Sequence, residues 1–181
     1  MNNENEVKAN LKRVLGKHFF IREEVKGVCI KGQKQFNVRV DFVLTPNQEL
    51  INLGFPKHYF TIEAKHIIKN STKKTRHLFI QALNYKDSIF NWNALIKSTP
   101  FMSLVYTNLT TIEDNFEKEM LLLNKVNVGT VLIYGNSYAF KLGSRYFLKY
   151  YAKYDRFQIG NIQRDLTTYI ASEKYNQILE S

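Results

Sequence analysis

The sequence predicts an α/β fold in which a helix is followed by three strands in an antiparallel meander, a crossover helix and a further strand. Three observations predict it. Apolar residues recur at helical spacing near the N-terminus, at Val7, Leu11, Val14 and Leu15. Two runs rich in aromatic and β-branched residues follow, Arg39-Val40-Asp41-Phe42-Val43-Leu44 and Tyr59-Phe60-Thr61-Ile62-Glu63-Ala64-Lys65-His66-Ile67, one loop apart. Helical spacing then returns at Leu78, Phe79, Ala82 and Leu83, ahead of another strand-like run. Strands alternating with helices in this order make an α/β core.

The first helix covers residues 4–16, with Gly16 where a helix is expected to end. A first strand spans 18–30, broken at Gly27 and closed by the basic turn Lys31-Gly32-Gln33-Lys34. The second and third strands cover 37–44 and 58–68, joined by a loop over 45–57 that contains Pro46, Gly54 and Pro56. Ser71 and Thr72 are placed to cap a helix over 73–91, whose buried stripe reads Leu78, Phe79, Ala82, Leu83, Ile89 and Phe90. A fourth strand at 101–107, a helix at 112–125 and a fifth strand at 126–134 come next. Gly135-Asn136-Ser137 turns into a strand at 138–142. From residue 144 onward two helices are expected, the last with a stripe of Leu166, Tyr169, Ile170, Ile178 and Leu179.

The two central runs carry carboxylates where a strand is buried, and burying a carboxylate costs several kcal/mol unless something compensates. Glu63 and Lys65 are two apart and share one strand face. With Asp41 on the preceding strand they form the pattern needed to hold Mg²⁺ against a phosphodiester. Three Glu-x-Lys tripeptides occur, but Glu6-Val7-Lys8 lies in a polar helix and Glu24-Val25-Lys26 precedes every Asp of the chain. Only Glu63-Ala64-Lys65 follows an Asp-bearing strand. The structural alternative is an ion pair of Asp41 with Lys65, Glu63 being solvated.

A chain of 181 residues with 44% hydrophobic content has material for one domain, a catalytic core over about 4–107 with an α/β extension over 108–181. The net charge of +10 points to a polyanion, DNA being the first candidate and an acidic membrane surface the rival. No run of 18 apolar residues and a polar N-terminus, Met-Asn-Asn-Glu-Asn-Glu, lead to the expectation of a cytoplasmic protein without a membrane association. The single Cys29 is expected in the core, and His18, His58, His66 and His77 are too scattered for a zinc site or a Ser/His or Cys/His hydrolase.

Asp41, then Glu63-Ala64-Lys65, then Gln81-Ala82-Leu83-Asn84-Tyr85 resembles the PD-(D/E)xK, or restriction-endonuclease-like, nuclease superfamily over roughly residues 4–107. The last segment is similar to the Gln-x-x-x-Tyr motif of RecB-type nucleases and of type I restriction nuclease domains. The resemblance implies a restriction-endonuclease-like core and a metal-dependent deoxyribonuclease with Asp41, Glu63, Lys65, Gln81 and Tyr85 in the catalytic site. The Pro-Asp pair of the superfamily is Val40-Asp41 here, and an upstream acid of the family has several counterparts, Glu4, Glu6, Glu23 and Glu24, of which Glu24 or Glu6 is favoured. No helicase motor accompanies the motifs, which implies a stand-alone nuclease, a homodimer or a subunit of a partner protein.

The carboxylates of Asp41 and Glu63, the Ala64 carbonyl, Glu24 and water make an oxygen-rich site for Mg²⁺ or Mn²⁺. Lys65 is expected to orient or deprotonate the attacking water, with Gln81 and Tyr85 positioning the phosphate or the lysine. Gln81 and Tyr85 are expected on a polar helix face with Lys74, His77 and Ser88, turned toward DNA. Lys69, Lys73, Lys74, Arg76 and Lys86 read as a phosphate track. Lys141, Arg145, Lys149 and Lys153, four apart among tyrosines, read as a second basic row able to combine phosphate contacts with base stacking. Glu113, Asp114, Glu117 and Glu119 make one helix acidic and turned away from DNA. Two other functions compete: a nucleic-acid-binding subunit without turnover, and an RNA endonuclease of the same fold.

Overall fold

A computed structural model of the chain describes residues 3–67, 72–90, 99–108, 123, 125–143 and 145–160. Helix α1 (Glu4–Leu15) begins at Asn3, whose side chain accepts the Glu6 N–H and caps the first turn. Strands β1 (Phe19–Lys31) and β2 (Lys34–Pro46) form a long hairpin, and Gly32 at its tip takes the positive φ that the turn requires. A short helix α2 (Gln48–Asn52), capped by Asn47, lies within the expected loop. Strand β3 (Phe60–Lys65), helix α3 (Thr72–Lys86) and strand β4 (Ser88–Phe90) follow, then β5 (Met102–Thr107), β6 (Val128–Tyr134), β7 (Ser137–Leu142), β8 (Arg145–Tyr151) and β9 (Arg156–Ile159).

The nine strands of the described residues join one sheet in the order β4-β1-β2-β3-β5-β6-β7-β8-β9. Only the β3–β5 and β5–β6 pairs are parallel, so α3 crosses between parallel neighbours while the remainder is antiparallel. The two main helices cover opposite faces. On one, Val7, Leu11, Val14 and Leu15 of α1 pack with Phe42, Phe60, Ile62, Ala64, Leu104 and Tyr106. On the other, Leu78, Phe79 and Ala82 of α3 pack with Val105 and Val128. Leu104, Val105 and Tyr106 change sides in turn, as strand alternation requires.

Several expectations are corrected. Ile89 and Phe90 belong to β4 rather than to the helix: β4 pairs antiparallel with β1, with Phe90 opposite Gly27. A Cβ on Gly27 would meet the Phe90 ring at 2.6 Å, so this glycine admits a close approach and does not break β1. The two helices expected after residue 144 are replaced, within the described residues, by β8 and β9. Phe147, Leu148 and Tyr150 are buried, and a run this rich in Tyr and Phe pairs well on a pleated surface. Cys29 is buried as expected. The expected helix at 112–125, except Leu123 and Lys125, and the C-terminal stripe lie outside the described residues. Among the described residues no helix is long and apolar enough to cross a membrane.

Candidate active site

The paired register of β2 and β3 ends at Phe42 and Ile62. Beyond it the Asp41 side chain takes over the role of the ladder, its Oδ2 accepting the Ala64 N–H at 2.9 Å. The N–H and C=O of a strand residue point toward the same neighbour, so the Ala64 carbonyl opens on the same gap. Asp41 and Glu63 sit one step past Phe42 and Ile62, Asp41 in the gap itself and Glu63 on the α3 side of the sheet, against Tyr85.

Glu63 is 5% exposed, and its Oε2 is a buried oxygen with no hydrogen-bond partner. Burial first, and the Asp41 carboxylate second, raise its pKa from 4.5 to about 7, against smaller opposing effects of Tyr85 and Lys65. From α3, Tyr85 packs over this pair and donates its hydroxyl proton to the Arg39 carbonyl at 2.9 Å. Burial and then the charge of Glu63 push the Tyr85 phenol well above its ordinary range. Gln81 flanks Tyr85 one turn earlier, and its Oε1 is likewise buried without a partner.

From the opposite face, Lys8 of α1 reaches Asp41 Oδ1 at 2.5 Å and also approaches Glu24 at 3.4 Å and Glu4 at 3.6 Å. Burial opposes its charge, but the hydrogen bond and charge of Asp41 outweigh it and raise the Lys8 pKa. Glu24 stands opposite Asp41 in the β1–β2 hairpin, between the paired positions Glu23/Phe42 and Val25/Val40. Its φ of 53° is unusual for a side-chain-bearing residue in a strand and interrupts the ladder beside Asp41. Arg39 Nε holds the other Glu24 oxygen at 3.0 Å, and Lys65 Nζ pairs with Glu4 Oε2 at 3.1 Å.

The structure thus brings Asp41, Glu63, Gln81 and Tyr85 together, with Glu24 and Lys65 at the margin through Lys8 and Glu4. The ion pair of Asp41 is made by Lys8 rather than Lys65, and Glu63 is buried rather than solvated. The Gln81–Tyr85 side of α3 also departs from expectation. Thr75, Leu78, Phe79, Ala82 and Tyr85 are all buried at i, i+3, i+4, i+7, i+10 spacing, so Tyr85 completes the buried stripe, while Lys74 and His77 face solvent. Ser88 is buried in β4. Of the alternative acids, Glu23 pairs with Lys12 at 2.7 Å, and Glu6 accepts from Asn3 at the helix start. The sequence reading missed Lys8 and Arg39. Lys8 had one signal, its i, i+4 spacing from Glu4.

Lys73, Lys74 and Arg76 are exposed on α3, Lys86 is half-buried, and Lys69 lies outside the described residues. Lys141, Arg145, Lys149 and Lys153 do not form a helical row: Lys141 is on β7, Arg145 and Lys149 on β8, and Lys153 in the turn after it. The acidic residues Glu113, Asp114, Glu117 and Glu119 lie outside the described residues.

Among the described residues no three His, Cys, Asp or Glu side chains gather as a metal cage. The donors nonetheless fit a hard divalent cation: two carboxylates and a carbonyl meet at one gap, and Glu63 Oε2 is buried without a hydrogen bond. Mg²⁺ needs only one or two carboxylates when water and substrate phosphate complete its shell. No family model, curated protein or solved structure matches this chain.

Proposed function

We propose that this protein is a metal-dependent DNA nuclease with a restriction-endonuclease-like core. The observation that carries the reading is the buried, partnerless carboxylate oxygen of Glu63 beside Asp41, where β2 and β3 part. A buried carboxylate pair is costly, and Lys8 compensates it on the Asp41 side, leaving Glu63 Oε2 without a hydrogen bond. The order of α1, the β1–β2–β3 meander, α3 and the parallel strand β5 supports the same reading, as does the approach of Gln81 and Tyr85 to Glu63.

Asp41, Glu63 and the Ala64 carbonyl would hold Mg²⁺ or Mn²⁺. When bound, such an ion would supply an acidified water nucleophile and charge neutralisation at the phosphate. The chain does the rest. Asp41, fixed by the Ala64 N–H and by Lys8, sets the position of the site within the sheet. Lys65, held by Glu4, brings a positive charge to the side where a phosphate would sit. Tyr85, anchored on the Arg39 carbonyl, excludes water from Glu63 and supports Gln81, whose buried amide oxygen is available to orient the nucleophile or the lysine.

A second reading is a nucleic-acid-binding subunit of the same fold without turnover. It is favoured by one contact, Lys8 Nζ on Asp41, which supplies a positive charge that a metal would otherwise provide. The test is incubation of the purified protein with plasmid, linear duplex, single-stranded and branched DNA and with RNA, in Mg²⁺ or Mn²⁺. DNA cleavage that Asp41→Ala abolishes supports the nuclease. DNA binding without cleavage of any substrate refutes it in favour of the binding subunit, and cleavage of RNA alone reassigns the substrate.

A further inference from the structure

At the far end of the sheet from β4, the α3-side face of β8 and β9 carries a mixture of cations and exposed tyrosines. Strand pairing fixes the side. Val128 packs under α3, Thr130 shares its face and pairs with Lys141, Ala139 pairs with Lys149, and Lys149 pairs with Gln158. Tyr151 and Arg156, also paired, lie on this same face. Tyr151, Tyr154, Arg156, Phe157 and Gln158 line an open cleft of about 630 Å³.

Two features define what fits there. From residue 125 to 160 the chain has six basic residues and one acid, Asp155, which is already paired with Lys17 at 2.8 Å. The surface is therefore complementary to a polyanion. The large apolar groups exposed on β8, β9 and their turn are all tyrosines, Tyr146, Tyr151 and Tyr154, the last 69% exposed. Lys149 Nζ lies 3.7 Å from the Tyr146 ring centre and Lys153 Nζ 5.5 Å from that of Tyr154, so charge and ring faces are interleaved.

We infer that this face binds single-stranded nucleic acid, with bases stacked on Tyr151 and Tyr154 and phosphates held by Arg156, Lys149 and Lys153. Stacking needs base faces that a duplex keeps covered, whereas a positively charged groove with aromatic platforms suits a single strand. An anionic membrane is the less fitting partner, because among the described residues of this face no exposed aliphatic side chain is offered for insertion into lipid. β8 is four strand positions from β3, roughly 19 Å at ordinary strand spacing, on the sheet face that carries Glu63. The inference deepens the proposed nuclease by naming a single-stranded segment as the part of the substrate held beyond α3.

Binding of a fluorescent 20-nucleotide oligothymidine to the full chain is measured by anisotropy in excess chelator, so that cleavage plays no part. A duplex of equal length and vesicles of phosphatidylserine and phosphatidylcholine form the comparison arms. Tyr151→Ala/Tyr154→Ala should bind the oligothymidine on the order of 30-fold more weakly, taking the low end of base stacking for two rings. The duplex should lose less than about threefold, and Tyr151→Phe/Tyr154→Phe should keep wild-type affinity. Tyr154→Ala alone, at the most exposed ring, should cost about fivefold and guards against misfolding of the double variant. Because binding is read in chelator, the presence or loss of cleavage in Mg²⁺ does not enter the result, which separates this surface from the catalytic proposal. Unchanged oligothymidine affinity in Tyr154→Ala overturns the inference. So does an equal loss on duplex, or a loss confined to vesicles.

Discussion

Replacing Glu63 with Gln should stabilise the protein at alkaline pH. The carboxylate is buried beside Asp41, and its pKa rises from 4.5 to about 7. A group whose folded pKa is raised contributes stability that is complete below pH 4.5 and lost as the pH climbs through 7. At about 1.4 kcal/mol per pH unit, the rise from 4.5 to about 7 makes ionised Glu63 cost about 3 kcal/mol above pH 8. Gln keeps the shape and removes the charge. Urea denaturation at pH 5 and pH 8.5, without divalent ions, should therefore give Glu63→Gln a gain over wild type that is about 3 kcal/mol larger at the higher pH. For a chain of 181 residues this corresponds to roughly 6–12 °C in Tm. Mg²⁺ should narrow the gap by stabilising wild type alone. A gain independent of pH would refute the reasoning, because Glu63 would then be solvated or already compensated.

Other outcomes follow from the same geometry. Lys8→Met removes the ammonium shared by Asp41, Glu24 and Glu4, so metal-free stability should fall by about 2 kcal/mol while Mg²⁺ gains affinity for the site; thermal melts with and without Mg²⁺ read both. Burial, and then Lys17, lower the pKa of His18, which packs among Tyr138, Tyr150 and Phe157. Its contribution is present above pH 6.5 and lost as the pH falls, so urea midpoints should drop between pH 7 and 5, and His18→Gln should flatten that drop. Neutralising Lys73 and Lys74 together should weaken binding to all DNA sequences alike and reduce the slope of log K against log salt by about two units, as read in a salt titration. An unchanged slope would move the phosphate path away from α3.

The sequence made the first half of the fold legible because its signals were local. Val7, Leu11, Val14 and Leu15 recur at helix spacing, and all four are buried under the sheet. Asp41 and Glu63 were visible as acids inside apolar runs, and both are buried. What escaped depended on distant packing. Phe90 looks like the end of a helical stripe until Gly27 of β1 offers it a partner 63 residues away in sequence. Lys141, Arg145, Lys149 and Lys153 have helical spacing by number, but Phe147, Leu148 and Tyr150 need the face of β7, and the strand pairing overrides the period. Tyr85 falls by spacing on one face with Gln81, Lys74 and His77, which reads as polar, but inside the fold the Arg39 carbonyl satisfies its hydroxyl. Lys8 could not be assigned to Asp41 from sequence, since the two are 33 residues apart and meet only when α1 packs on the sheet.

The most direct measurement is cleavage of an end-labelled DNA strand by wild type and Glu63→Ala side by side, each with Mg²⁺ and with excess chelator. The account predicts products only for wild type with Mg²⁺, while Glu63→Ala folds and still binds DNA. Cleavage by Glu63→Ala at the wild-type rate, or robust cleavage in chelator, would contradict it.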